Sequence, residues 1–268
     1  MDTKQDLKLA VVIDADNVPS GNVKAMMEEI AKYGVPTFKR IYGDWTKPNL
    51  AGWKSVLLEN AITPIQQYSY TTGKNSTDSA MIIDAMDILY TGKVDGFCIV
   101  SSDSDFTRLA IRLRESGMKV FGFGERKTPN PFIVACDKFI YFEILKSGRL
   151  PKTAEIVPLS TNKIVEQVSI PKVDSETISL ISSTVNDVAD EDGWAFLGDV
   201  GTLLIKKKPD FDPRNYGYEK LTPLIKSLKD NFDIDERVTD RATIKLVYIK
   251  TKKQQRTTRT HKQLPKQK

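Results

Sequence analysis

From residue 8 to about residue 142, short unbroken apolar runs alternate with segments whose apolar positions recur every three or four residues. Leu9–Ile13 and Gly96–Val100 are the clearest runs. Continuous apolar stretches of that length suit strands buried on both faces of a parallel sheet. The pattern predicts strands at Leu9–Asp14, Pro36–Tyr42, Ile62–Tyr68, Gly96–Ser101 and Lys119–Phe123, with a last one at Phe139–Phe142. Between them it predicts a helix at Ser20–Lys32, with Val23, Met26, Met27 and Ile30 on one side, and a short one around Trp53, Val56 and Leu57. A third helix, Ser76–Tyr90, is apolar nearly all round and is expected to be well buried. A fourth turns Phe106, Leu109, Ala110 and Leu113 inward and leaves Arg108, Arg112 and Arg114 outside. Such alternation implies an α/β fold, a parallel sheet with right-handed crossovers.

The pattern changes after Phe142. No aromatic residue occurs until Trp194, and Pro151, Pro158 and Pro171 punctuate the stretch, so 147–173 reads as a linker. A smaller unit occupies 174–250. Ile178, Ile181, Val185 and Val188 mark its first helix, and a second lies near Asp199–Ile205. A turn at 212–217 precedes a third, with Leu221, Leu224, Ile225 and Leu228 inward and Lys220, Lys226 and Lys229 outward. Phe232–Asp235 and Ile244–Ile249 can pair as a hairpin. Three helices followed by a hairpin is the order of a winged helix.

Composition narrows the chemistry. The only histidine among 268 residues is His261, so the folded parts hold no histidine base and no histidine-rich zinc site. The two cysteines, Cys98 in a strand and Cys136 in a later helix, are too few for structural zinc and suit a reducing, cytoplasmic setting. No apolar stretch approaches the roughly 20 residues of a membrane span. Net charge is +5, but the eight lysines and arginines of 250–268 exceed that, leaving −3 elsewhere. A basic, apolar-poor tail at 251–268 suits a polyanion or is simply solvated and disordered.

What remains is carboxylates. The first strand runs into Asp14-Ala15-Asp16-Asn17, and the strand at 96 runs into Ser101-Ser102-Asp103-Ser104-Asp105. Open α/β sheets place ligands at the carboxyl ends of their strands. If the strand order is 3-2-1-4-5, Asp14 and Asp103 are neighbours, and Asp78 arrives with the helix that opens just before the second of these strands. Asp14, Asp78, Asp103 and Asp105 together would repel one another unless a divalent cation joined them, so they are the candidate ligands for Mg²⁺ or Mn²⁺. Asn17 and Ser101 are candidates to orient Asp14 or the waters around the ion. Asp84 ranks lower, because it lies about 240° round its helix from Asp78. Lys74 and Arg126 are candidate phosphate contacts. An Asp after a strand is often only a helix cap, which is the competing reading of Asp105.

The segments VVIDADN, KNSTDSAMIIDAMD and IVSSDSDF, in that order, with GFGERKTP and ACDKFIYFE, resemble an NYN domain of the LabA type, a branch of the PIN-like nucleases. The resemblance covers residues 8 to about 145. It implies a PIN-like (Rossmannoid) fold for 1–146 and a metal-dependent endoribonuclease site at Asp14, Asp78, Asp103 and Asp105. The stretch 175–250 is similar to OST-HTH (LOTUS) domains, through WAFLGDVG and FDPRNYGYEKLTPLIKS. That likeness implies a winged-helix RNA-binding module, with Lys220, Lys226 and Lys229 as its RNA contacts. The expected partner is single-stranded RNA, with no membrane association; a homodimer is compatible with the sequence. Two other functions fit: an RNA-binding regulator with a vestigial site, or a HAD-like phosphatase, whose Asp-x-Asp motif Asp14-Ala15-Asp16 mimics.

Overall fold

The computed structural model describes residues 6–68, 76–146, 173–238 and 245–252. The expected linker therefore lies almost wholly outside the described residues, as does the tail beyond Lys252. The chain divides into two compact units, one of 1–170 with Leu204–Asn215 and one of 171–203 with 216–268.

The first unit is a six-stranded parallel sheet in the order β3-β2-β1-β4-β5-β6. Its strands are β1 (Lys8–Asp14), β2 (Val35–Gly43), β3 (Thr63–Gln66), β4 (Gly96–Val100), β5 (Lys119–Gly124) and β6 (Lys138–Tyr141). Its helices are α1 (Val23–Ile30), α2 (Trp53–Asn60), α3 (Ser76–Tyr90), α4 (Thr107–Glu115), α5 (Asn130–Ala135) and α6 (Phe142–Lys146). Side chains alternate across a strand, so β1 feeds two cores. Ala10 and Val12 pack with α3, α4 and α5, while Leu9, Val11 and Ile13 pack with α1, α2 and α6. That double burial explains the unbroken apolar run. β1 and β4 are adjacent, with Ile13 opposite Val100, so the residues that follow each strand emerge side by side.

Helix α3 departs from the all-round burial its sequence predicts. Thr77, Met81, Ala85 and Ile88 face the sheet, but Ile83 is 63% exposed and Tyr90 71%. A helix covering one face of a sheet has an outer side whatever its residues, and here apolar groups occupy part of it. Cys136 lies one residue beyond α5, buried and unpaired, with its thiol on the Phe132 carbonyl at 3.4 Å.

Within this unit, α1 carries Glu29, a carboxylate only 3% exposed. The Arg214 guanidinium grips both its oxygens, at 2.8 and 2.9 Å, and also bonds Asp212. Lys32 and Tyr33 donate to Glu29 as well, at 2.7 and 2.8 Å. Burial alone would raise the Glu29 carboxyl, but Arg214, Lys32 and Tyr33 outweigh it and hold it at about 2. The pairing accounts for Leu204–Asn215 grouping with this unit, because a buried carboxylate demands a partner.

The second unit contains α7 (Ser175–Val188), β7 (Ala195–Phe196), the part of α8 (Leu197–Lys207) up to Leu203, α9 (Leu221–Ser227), β8 (Phe232–Val238) and β9 (Lys245–Thr251). Asp174 caps α7 by accepting from the Thr177 amide at 2.6 Å. The strands form an antiparallel sheet in the order β7-β9-β8. Ile181, Val185, Val200, Leu224, Ile225, Phe232 and Ile249 are among its buried apolar residues. Three helices and a hairpin are the predicted order; the short β7 adds a third strand.

Candidate metal centre

Three chain segments deliver acids to the carboxyl rim of the first unit. β1 ends on Asp14, β4 leads through Ser101 to Asp103 and Asp105, and the first turn of α3 carries Asp78. One carboxylate oxygen from each of Asp78, Asp103 and Asp105 lies within 4.8 Å of the others. These three are brought together as a candidate ion-binding group. Asp14 lies next to them, and its charge acts on Asp78 ahead of those of Asp103 and Asp105.

Asp14 is completely buried. One of its oxygens accepts from the Asp16 amide at 3.0 Å; the other accepts from the Asn17 amide group at 2.6 Å and the Ser101 hydroxyl at 2.8 Å. Two of the three expected supporting residues, Asn17 and Ser101, therefore bond Asp14. Ser101 also accepts from the Asp103 amide at 3.1 Å, so one hydroxyl ties the end of β1 to the turn after β4. Burial raises the Asp14 carboxyl against the lowering effect of those bonds.

Asp103 is a helix cap as well, its side chain accepting from the Asp105 amide at 2.9 Å. Capping and membership of the acidic group coexist, since the cap bond uses one oxygen. Asp78 shows the crowding most clearly. Burial first, then the charges of Asp14, Asp103, Asp105 and Asp16, push its carboxyl up to about 6. Neither Asp78 nor Asp103 has a lysine or arginine partner among the described residues. Hard oxygen donors that repel one another are a donor set that fits Mg²⁺ or Mn²⁺. The positive N-terminal ends of α3 and α4 offset part of the negative charge at this rim.

The other candidates fall elsewhere. Asp84 is engaged by Arg40 and the Tyr42 hydroxyl and serves as an ion-pair partner of β2. The Arg126 guanidinium lies over the Tyr141 ring, 5.6 Å from its centroid, while its amide donates to Glu143 at 3.0 Å. Lys74 lies outside the described residues. In the second unit, Lys220 precedes α9 and is exposed, Lys226 pairs with Glu236, and the Lys229 carbonyl accepts from Lys252 at 2.7 Å.

Three contributors were missed from the sequence. Thr77 reaches Asp16 at 3.4 Å and brings the start of α3 to the end of β1. Ser102 accepts from the Glu125 amide at 2.9 Å, holding the loop after β5. At Gly124 an added Cβ would lie 2.8 Å from the Ser101 carbonyl, so only glycine lets β5 close beside the acidic turn. The motif Gly-Phe-Gly at 122–124 was the available signal. Asp44 is a further buried acid after β2, but Thr46 and Gln66 occupy it.

Comparison with known families agrees with this geometry. Residues 8–145 match the NYN domain and residues 169–242 the OST-HTH/LOTUS domain. No functionally curated protein matches the chain. Among solved structures it is similar to a protein of unknown function from Vibrio parahaemolyticus (20% identity, 52% of this chain and 94% of that one, TM-score 0.44). It is also similar to an uncharacterized protein from Nitrosomonas europaea (30% identity, 37% and 95%, TM-score 0.29). A Chromobacterium violaceum protein fragment is similar too (27% identity, 35% and 100%, TM-score 0.26).

Proposed function

The chain belongs to the NYN-domain family, and from that premise we propose that it is a metal-dependent endoribonuclease acting on single-stranded RNA. The observation that carries the reading is the meeting of Asp78, Asp103 and Asp105 within 4.8 Å at the rim where α/β sheets bind ligands. Asp78, Asp103 and Asp105 would hold Mg²⁺ or Mn²⁺, with Asp14 fixing the turn behind them. Such an ion supplies Lewis-acid charge to a phosphodiester oxygen and lowers the pKa of water.

The chain's own residues do the positioning. Ser101 and Asn17 lock Asp14 in one rotamer, and Ser101 sets the height of the Asp103 turn. Asp105, the most exposed of the three, is the group to orient the attacking water. Full burial and three accepted hydrogen bonds leave Asp14 poorly suited to be a nucleophile, which disfavours the phosphatase alternative.

In this proposal 1–146 is the nuclease domain, 147–173 a linker, 174–250 an RNA-binding winged helix and 251–268 a basic tail. The second domain, matching the OST-HTH/LOTUS family, would raise the local RNA concentration at the nuclease, and the tail would add salt-sensitive affinity. The two free, buried cysteines support a reducing, cytoplasmic compartment. Among the described residues no helix is long and apolar enough to cross a membrane.

The test is cleavage of single-stranded RNA by highly purified full-length protein, with and without EDTA, beside Asp103→Asn. Metal-dependent cleavage that disappears in the variant is expected. Cleavage that survives both EDTA and the substitution would overturn the assignment, and no cleavage under any metal would favour the regulatory alternative.

A further inference from the structure

The outer face of α4 has no part in the core or in the acidic group. Asp105 enters that group just before the helix begins. Arg108 and Arg112 follow it three and seven residues later. Asp105 lies in a 3-10 turn, at about 120° per residue, that leads into α4, at about 100° per residue, so both arginines fall within roughly 20° of it around the axis and the three share one face. Both arginines are exposed, with Arg112 49% so. Arg108 makes no ion pair or side-chain hydrogen bond among the described residues. It sits in the first turn of α4, where a cation works against the helix dipole, so helix stability gives no reason for it. Arg114, by contrast, is occupied by the Val134 and Ala135 carbonyls and Asp137. Arg112 has only weak partners: Glu115 at 4.0 Å and the Tyr90 hydroxyl at 3.5 Å. Tyr90 closes α3 and is 71% exposed, an aromatic face with no ring partner among the described residues.

We propose that this face of α4, from Asp105 past Arg108 and Arg112 to Tyr90, is the track on which one RNA strand lies as it leaves the acidic centre. The proposal rests on the nuclease reading and adds the strand's path to it. Arg108 and Arg112 are four residues apart, about 6 Å along the axis. That step is comparable to the separation of successive phosphates on one strand, so each guanidinium can take its own phosphate. From Asp105 to Arg112 the face runs roughly 10 Å, enough for about two to three nucleotides. A phosphate displaces the weak Glu115 contact readily, because exposed ion pairs contribute little. Tyr90 then offers a stacking surface to a base at the far end, with Arg112 tethered to its hydroxyl. The arrangement also selects for one strand, because stacking on Tyr90 needs an unpaired base.

The test separates binding from chemistry. In an Asp103→Asn background with Mg²⁺ present, the affinity of the full chain for a fluorescein-labelled 12-nucleotide oligouridylate is measured across a KCl series. Arg108→Ala/Arg112→Ala is added in one arm, Arg108→Lys/Arg112→Lys in a second and Tyr90→Ala in a third. Because the alanine pair leaves two phosphates without a cation, its slope of log K against log salt is expected to shallow by about 1.4. The lysine pair should keep most of that slope, and Tyr90→Ala should weaken binding about five- to tenfold with the slope unchanged. Thermal melting of each variant confirms that it folds. A slope and affinity unchanged in the alanine pair would overturn the track, whatever affinity the second domain supplies. Because no arm depends on cleavage, failure of the nuclease reading and failure of the track are read from different experiments.

Discussion

The first unit gathers acids in two places and treats them in opposite ways. Around Glu29, every charge has its counterpart: Arg214 bridges Glu29 and Asp212, and Lys32 and Tyr33 complete the shell. At the sheet rim, Asp78, Asp103 and Asp105 crowd within 4.8 Å, and no lysine or arginine reaches Asp78 or Asp103 among the described residues. The consequence is visible in their acidities, with the Glu29 carboxyl held at about 2 and the Asp78 carboxyl pushed up to about 6. A compensated cluster is structure. Crowded acids such as Asp78 and Asp103, with no lysine or arginine partner among the described residues, cost stability and persist where a ligand offsets that cost, which is why perturbed carboxyls mark functional sites.

Substitution at each cluster should break the molecule differently. The largest effect is expected for Asp103→Asn, which should lower RNA cleavage by ~10³-fold or more while leaving the melting temperature of the metal-free protein unchanged or higher. A melting temperature that collapses instead would place Asp103 with the structural acids. Arg214→Ala should do the reverse and destabilise the first unit by about 3 kcal/mol, because it strands a buried carboxylate. Urea unfolding would detect this; a cost below about 1 kcal/mol would mean that water reaches Glu29.

Metal sharpens the contrast next. Mg²⁺ or Mn²⁺ at about a hundredfold its dissociation constant should stabilise wild-type protein by about 2.7 kcal/mol and leave Asp78→Asn nearly unmoved. Equal stabilisation of both in calorimetry would remove Asp78 from the ligand set.

The pH dependences should also run in opposite directions. Asp78 is raised above the ordinary 3.8, so its proton stabilises the metal-free fold at low pH, and that contribution is lost as pH rises through about 6. Glu29 is lowered from 4.5, so its contribution is present above about 4.5 and is lost as pH falls toward 2. Denaturation of metal-free wild type against Asp78→Asn between pH 4 and 6, and against Glu29→Gln between pH 2 and 4.5, would show whether the slopes have these signs. The smallest effect is expected for Ser101→Ala, which removes a hydroxyl bonded to Asp14 and the Asp103 amide and should cost about 1–2 kcal/mol.

Much of the acidic centre could be read from the chain because its parts are local. A strand that ends in an acid is visible as an apolar run followed by Asp, and parallel order follows from strand–helix alternation. Asn17 was legible for the same reason, three residues from Asp14. Ser101 was legible because it sits at the end of β4 two residues before Asp103, although the acid it bonds, Asp14, is 87 residues away. The limits appear at α3. Its composition predicts burial all round, yet Ile83 and Tyr90 are exposed, since residue type does not say which side meets the sheet.

The α/β unit, the order of the winged-helix unit and the carboxylates able to meet are all written in the local pattern of the chain. Those signals are periodic and short-range, set by backbone geometry and the need to bury apolar faces. Which acids are already paired emerges only once the chain is folded. Asp84 is taken by Arg40 and Tyr42 from β2, and Glu29 by an arginine 185 residues away. Asp14 withdraws into a web of hydrogen bonds, leaving Asp78, Asp103 and Asp105 to face one another. Charge pairing is a matter of distance in space, and nothing in the local pattern records which cation will arrive.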